Sequence, residues 1–283
     1  MSDTISRFIF DNTDVRGEHV RLEKSYQDIL NIHHYPPGVA NLLGEFLAAA
    51  SLLSATIKFE GSLILQVRGD GEVPLIMAEA NSERELRAIA RDANEAMSLD
   101  FKTLVGNGQL AMTIDPKHGK RYQGIVSLDG DSLAHCLEAY FQQSEQLSTR
   151  IWLCADATHA TGLMLQELPS KTPDKDRWQH LTTIADTVRD EELLTLSAED
   201  LLYRLYHQDA VRLFEAKPLI ARCQCSRQRV EKALISIGQE ELNDIIREQG
   251  QIETNCEFCN RLYHFSPTDI AAMFDQNTTI TRH

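Results

Sequence analysis

Cys223-Gln224-Cys225 and Cys256-Glu257-Phe258-Cys259 are the stretch on which the reading of this chain turns. Four of the six cysteines fall here, as one C-x-C and one C-x-x-C pair, with residues 226–255 between them. That interval is long enough for two short helices that fold back and return all four sulfurs to one point. Closely spaced thiolate pairs suit tetrahedral zinc, so Cys223, Cys225, Cys256 and Cys259 are the candidate metal ligands. A purely structural zinc clip satisfies the same spacing. A thioredoxin-like dithiol is the weaker alternative, because a catalytic C-x-x-C needs no second pair and usually sits early in a βα unit.

The neighbouring residues sharpen the reading. Ser226 can cap a helix running through Arg227, Arg229, Val230, Leu234 and Ile235 to Gly238, which would put Cys225 at the positive end of its dipole. Arg222, Arg227, Arg229 and Arg261 lie close in sequence to the cysteines, and guanidinium groups would offset the net double negative charge of a zinc held by four thiolates. Thiolates are both good ligands and the species that oxidants attack. A four-cysteine site can therefore be a structure and a sensor together.

These residues resemble the bacterial redox-regulated heat-shock chaperones, the thirty-three kilodalton heat-shock protein family. The resemblance rests on Cys223-Gln224-Cys225-Ser226-Arg227-Gln228-Arg229, Gly250-Gln251-Ile252, Cys256-Glu257-Phe258-Cys259, Tyr263, Phe265 and Asp269-Ile270. Upstream, Gly162-Leu163-Met164-Leu165-Gln166 looks like the family's core domain, and the length agrees, so the likeness extends over the whole chain. Ala221 stands where an aromatic is expected, and Asn260 follows the last cysteine where many zinc knuckles place Gly. Asn tolerates the left-handed conformation, so the turn should survive.

The resemblance implies an ATP-independent holdase and not an enzyme. It implies one zinc ion per chain in the reduced, inactive form. Oxidation would pair Cys223 with Cys225 and Cys256 with Cys259, release zinc, unfold the linker and let the protein hold unfolded clients. It further implies a homodimeric active form and transfer of clients to ATP-dependent foldases. Each of those disulfides would close only a tiny loop, so the long-range fastening across residues 226–255 would go with the metal.

Composition is consistent with this. At 283 residues and 42% hydrophobic, the chain can bury a full core and is expected to hold more than one domain. A net charge of −14 argues against phosphate-backbone binding, which needs clustered Lys and Arg, and so against a zinc ribbon for nucleic acid. Met1 to Arg7 shows no signal-peptide pattern, and no apolar run is expected to reach bilayer length, since Glu45 interrupts the best candidate. A cytoplasmic address without membrane contact follows, where paired cysteines serve as ligands or switches more often than as permanent disulfides.

The fold class expected is α+β. Its core domain, residues 1–169, is a mixed one with antiparallel hairpins; an amphipathic helical linker, 170–218, and a zinc-binding redox-switch domain, 219–283, follow. Phe8-Ile9-Phe10 reads as a first strand with a turn at Asp11-Asn12, and Tyr26 to Leu30 as a short helix. From Gly38 to Ile57 the sequence is apolar on nearly every face, which predicts a buried helix. Residues 62–67 and 74–78 predict one hairpin, 109–115 and 122–128 another. Leu133 to Leu147 predicts a helix, followed by strands at 150–154 and 162–168. Beyond Pro169, Leu181, Ile184 and Val188, then Leu201, Leu202, Leu205 and Tyr206, mark helices with narrow apolar stripes. Short helices of that kind must lean on a neighbour to stay folded.

Other features carry less. Cys136 and Cys154 read as small buried apolar residues, and His33-His34 as a solvated turn without a third ligand. Gly69-Asp70-Gly71 and Gly106-Asn107-Gly108 are turns that do not extend to a nucleotide-binding fingerprint. No catalytic constellation emerges. A disulfide oxidoreductase and a zinc-stabilised adaptor remain as rival readings, the first turning over a dithiol substrate, the second keeping its metal under mild oxidation.

Overall fold

The computed structural model describes residues 3–57, 60–170 and 173–278. It divides into two compact units at Arg222/Cys223. In chain order the first contains β1 (Thr4–Phe10), β2 (Val15–Leu22), α1 (Lys24–Leu30), α2 (Pro37–Thr56), β3 (Gly61–Gly69), β4 (Leu75–Asn81) and β5 (Glu85–Arg91). There follow α3 (Phe101–Val105), β6 (Gly108–Pro116), β7 (Tyr122–Ser127), α4 (Leu133–Tyr140) with a π turn, β8 (Thr149–Ala155) and β9 (Ala160–Glu167). Helices α5 (Lys175–Ala185), α6 (Asp190–Thr195) and α7 (Ala198–Tyr206) precede three short strands, β10 (Val211–Leu213), β11 (Lys217–Pro218) and β12 (Ile220–Ala221).

Helix α2 is apolar on nearly every side, so no single packing face can satisfy it. Two mainly antiparallel sheets cover it. One has the order β10-β1-β2-β9-β8, with β11 also on β1; the other has β12-β5-β4-β3-β6-β7, in which only β12 runs parallel to its neighbour. Leu43, Phe46, Leu47 and Leu53 of α2 pack with Val20 and Leu22 from the first sheet and Leu63, Leu65 and Ala78 from the second. The α+β class holds, and both expected hairpins form, with Val67 opposite Ile76 and Thr113 opposite Gln123. One expectation is corrected: α2 is long and apolar enough to cross a membrane despite Glu45, and 78% of its most apolar window is buried within the protein.

The other face of the first sheet has its own apolar layer. Phe8, Phe10, Val15, Leu163 and Leu165 point away from α2 and are covered by Leu181, Ala185, Leu193, Leu201, Leu202, Leu205 and Tyr206 of α5 to α7. Gly17 lies directly beneath the Phe8 ring, where a Cβ would come within 2.1 Å of it, so the ring can lie flat between sheet and helices. Ser197 Oγ accepts from the Asp200 amide at 3.1 Å and starts α7. Arg21 donates to the Thr195 carbonyl at 2.8 Å, closing the end of α6 onto the sheet.

This seam is sensitive to protons in two opposed ways. His19, on the same face of β2 as Val15, is 2% exposed, and burial followed by the Arg21 charge pulls its pKa down to about 4. Its folded pKa lies below the ordinary 6.5, so the stability it permits is present above pH 6.5 and is lost as pH falls towards 4. Glu45 is pushed up to about 7 by burial and then by Asp190 of α6. Its contribution has the opposite sign, full below pH 4.5 and lost as pH rises through 7. The contributions of His19 and Glu45 should therefore largely offset one another between pH 7 and pH 5. Glu45→Gln should expose the histidine effect as a loss of about 2 kcal/mol over that interval, read from denaturant midpoints.

The second unit is small. Helices α8 (Arg227–Ile237) and α9 (Gln239–Gln249) are followed by the hairpin β13 (Ile252–Asn255) and β14 (Leu262–Phe265), then α10 (Pro267–Thr278). Its core consists of Leu234, Leu242, Ile252, Tyr263, Phe265, Ile270 and Met273. So few buried side chains leave a unit of this size marginal without a further cross-link.

Candidate metal centre

The four cysteines come from two turns. Cys223 and Cys225 lie in the extended approach to α8, whose first turn is closed by the Arg229 amide donating to Ser226 Oγ at 3.3 Å. Cys256 and Cys259 occupy the loop of the β13–β14 hairpin. There the Cys256 amide donates to the Arg261 carbonyl at 2.9 Å and the Asn260 amide to the Cys256 carbonyl at 2.7 Å. Asn260 takes φ +56°, the left-handed conformation that a Gly would otherwise supply. The two helices of residues 226–255 bring the ends of their segment back together.

All four Sγ atoms lie within 4.8 Å of one another. Across the pairs, Cys223 lies 3.6 Å from Cys256 and Cys225 3.4 Å from Cys259. A tetrahedral zinc with bonds of about 2.3 Å needs sulfurs about 3.8 Å apart, so the cluster can hold a metal ion with little adjustment. The thiols themselves ask for a cation. Burial alone would push Cys225 up, but hydrogen bonds from Tyr263 and the Cys259, Cys223 and Cys256 thiols bring it down to about 7. Burial and the adjoining sulfurs push Cys259 up to about 12. Cys225 ionises readily, whereas Cys223 and Cys259, both pushed up first by burial, would give up their protons once a positive charge arrives among them.

The arginines are placed differently from their sequence expectation. Arg261 alone faces the sulfurs of Cys225 and Cys259. Arg227 stacks over Phe265 at 4.3 Å and pairs with Asp269 at 3.0 Å and Glu231 at 3.2 Å, so it braces the small core instead. Arg229 donates to the Gln224 carbonyl at 3.1 Å and orders the C-x-C backbone. Arg222 pairs with Glu85 at 2.9 Å in the first unit.

Sequence reading missed the part of Tyr263, whose hydroxyl donates to Cys225 Sγ at 3.1 Å. The signal was available in the alternation of β14, where Leu262 and His264 are exposed while Tyr263 and Phe265 are buried. Tyr263→Phe should keep the fold and weaken metal affinity about 10–100-fold, as loss of a ligand's hydrogen-bond partner generally does. Competition with a chromogenic chelator measures it. Cys136 is buried, as expected; Cys154 is only partly so, packed with Trp152 against the layer under α5 to α7. Neither joins the cluster.

Comparison with known proteins agrees with this architecture. Proteins named 33 kDa chaperonin from Pseudomonas paraeruginosa and Azotobacter vinelandii are 50% and 52% identical. The first alignment covers 100% of this chain and 99% of the relative, the second 96% and 94%. The crystal structure of a 33 kDa chaperonin (heat shock protein 33 homolog) from Thermotoga maritima shares the fold. Its TM-score is 0.83 at 21% identity, covering 98% of this chain and 99% of that one. The family model described as Hsp33 protein matches residues 3–266. With four cysteines gathered at one point and relatives matched along their whole length, this chain belongs to the Hsp33 family.

Proposed function

We propose that this chain is an ATP-independent chaperone that holds unfolded proteins when oxidised and is closed when reduced. The four-sulfur cluster carries this reading, because a metal held there would fasten together the two ends of residues 226–255. Cys223, Cys225, Cys256 and Cys259 would hold one zinc ion. Bound there, zinc would supply a tetrahedral fastening worth on the order of 10–16 kcal/mol, most of the folding energy of so small a unit.

Oxidation acts on the ligands. Pairing Cys223 with Cys225 and Cys256 with Cys259 would take two electrons from each pair of thiolates, and a peroxide accepting them with two protons from solvent is reduced to two waters, or to an alcohol and water. Neither disulfide spans residues 226–255, so among the described residues the unit keeps a core of seven buried apolar side chains to hold it. Helices α5 to α7 then become the mobile part, as the linker of residues 170–218, and their departure bares Phe8, Phe10, Val15, Leu163 and Leu165. Unfolded chains bind such a surface by the hydrophobic effect. The chain's net charge of −14 keeps loaded complexes apart. Dimerisation of the open form, hand-over of clients to ATP-dependent foldases and a cytosolic setting, whose thiol buffers reset the disulfides, complete the proposal.

The test is to follow zinc release and suppression of aggregation of a heat-unfolded test protein in the same samples, before and after peroxide with gentle warming. Both should rise together and reverse with dithiol. Peroxide-treated protein that retains its metal, or that loses it and protects nothing, overturns the proposal. Steady turnover of a dithiol substrate would favour the oxidoreductase.

A further inference from the structure

Residues 211–221 form a single extended strap that closes an edge of each sheet. Strand β10 pairs antiparallel with β1, placing Leu213 opposite Phe8; β11 pairs with the start of β1, Lys217 opposite Ile5; β12 then crosses to β5, Ile220 opposite Glu85. These strands have three, two and two residues. The backbone bonds are well formed: Phe214 N donates to Arg7 O at 2.9 Å, Leu219 N to Asp3 O at 3.0 Å, and Arg222 N to Leu86 O at 2.9 Å. Side chains add Arg212 paired with Asp11 at 2.8 Å, Arg84 Nε donating to the Pro218 carbonyl at 3.2 Å and Ser25 Oγ accepting from the Ala221 amide at 2.8 Å, but little apolar packing. Between Arg212 and Ile220 only Leu219 is buried, while Leu213, Phe214 and Ile220 are 37%, 43% and 55% exposed. Behind the strap a cavity of about 520 Å³, lined among others by Arg7, Glu18, Ser54 and Arg84, replaces packing.

The strap is thus held mainly by main-chain hydrogen bonds, with one buried leucine and a few polar side-chain ties, and it ends two residues before Cys223. We propose that the strap lifts when the adjoining cysteine unit loosens, and that the bared outer edges of β1 and β5 take up extended segments of unfolded polypeptide as added strands. This rests on the function proposed above and assigns its client surface. The occupant follows from the chemistry of the edge: unpaired N–H and C=O groups accept any extended chain irrespective of sequence. Such indifference is what a holder of many different unfolded proteins requires. The present occupant is itself an irregular extended segment with exposed apolar side chains.

Strand geometry provides a selective test. Asp3, Arg7 and Asp11 direct their backbone groups at the strap, so the odd-numbered residues of β1 face that edge and the even-numbered ones face β2. Ile9→Pro therefore removes an edge donor while sparing the β1–β2 ladder, and proline is tolerated on edge strands. Phe214→Pro removes a donor from the strap and leaves the edge whole. The probes are a labelled peptide of alternating valine and threonine and the same peptide N-methylated at every amide, which leaves neither of its edges a donor for a ladder.

Oxidised wild-type protein should bind the parent peptide at least about tenfold more tightly than its N-methylated analogue, equivalent to one or two net hydrogen bonds. Ile9→Pro should reduce that preference by disabling the β1 edge, with the β5 edge and metal release unchanged. Reduced, metal-loaded Phe214→Pro should gain peptide binding without oxidant. Equal affinity for both peptides in oxidised protein that suppresses aggregation overturns the strand-addition proposal alone; the peptide pair decides this on wild-type protein even if a proline variant does not fold. Peptide binding that disappears in a dimeric fraction assigns the edge to a second copy and also overturns it. Oxidised wild-type protein that suppresses no aggregation overturns this proposal and the function beneath it.

Discussion

Cys223→Ser is expected to strip the second unit of its metal and its fold under fully reducing conditions. If the four thiolates share on the order of 10–16 kcal/mol equally, each supplies about 3 kcal/mol, and a serine hydroxyl at neutral pH replaces little of it. Metal affinity should fall by a factor of about 10² to 10³. With seven buried apolar side chains as the remaining support, α8, α9 and the β13–β14 hairpin should lose amide protection while α2 keeps its own. Hydrogen exchange of the reduced variant, read beside its zinc content, checks both parts. Unchanged zinc affinity removes Cys223 from the ligand set. A variant that loses zinc yet stays protected across residues 226–265 shows that the small core suffices without it.

Leu201→Asp addresses the other end of the proposed switch. Leu201 is fully buried in the layer between α7 and the first sheet, and a carboxylate there loses apolar contacts and gains an unpaired charge in a dry site. A cost of about 3–5 kcal/mol follows. The main core around α2 is a separate cluster, so the loss should fall on the docking of α5 to α7 and not on the whole unit. Reduced, metal-loaded Leu201→Asp should capture unfolded protein without oxidant, and the amides of α7 should exchange at least a hundredfold faster. Client capture that still demands peroxide would mean that this apolar layer is not the gate.

Much of this was legible from residue types. The helix of α2 had to be buried because it offers no polar face, and the Cys-turn geometry at Asn260 followed from the tolerance of Asn for left-handed φ. The cap at Ser226 was visible because a short side-chain oxygen precedes a helical stripe. Strand β2 was not, since Val15-Arg16-Gly17-Glu18-His19-Val20-Arg21-Leu22 looks polar. Helices cover both faces of its sheet, and charge pairing such as Arg7 with Glu18 at 2.6 Å replaces the usual alternation. The strap was invisible for a simpler reason: strands of two or three residues have no period to detect. The arginines misled because closeness in sequence says little about direction. A residue on the first turn of α8 can point at Phe265 and Asp269 as easily as at the sulfurs.

The all-round apolar helix at the centre of the first unit has a consequence for repeated use. Because both sheets share α2, neither can come apart without the other, and the chassis stands or falls as one piece. Everything proposed to move is attached to its outside. After each episode the detached parts meet the same unaltered template, so the molecule can close again without having to solve its folding problem from the beginning.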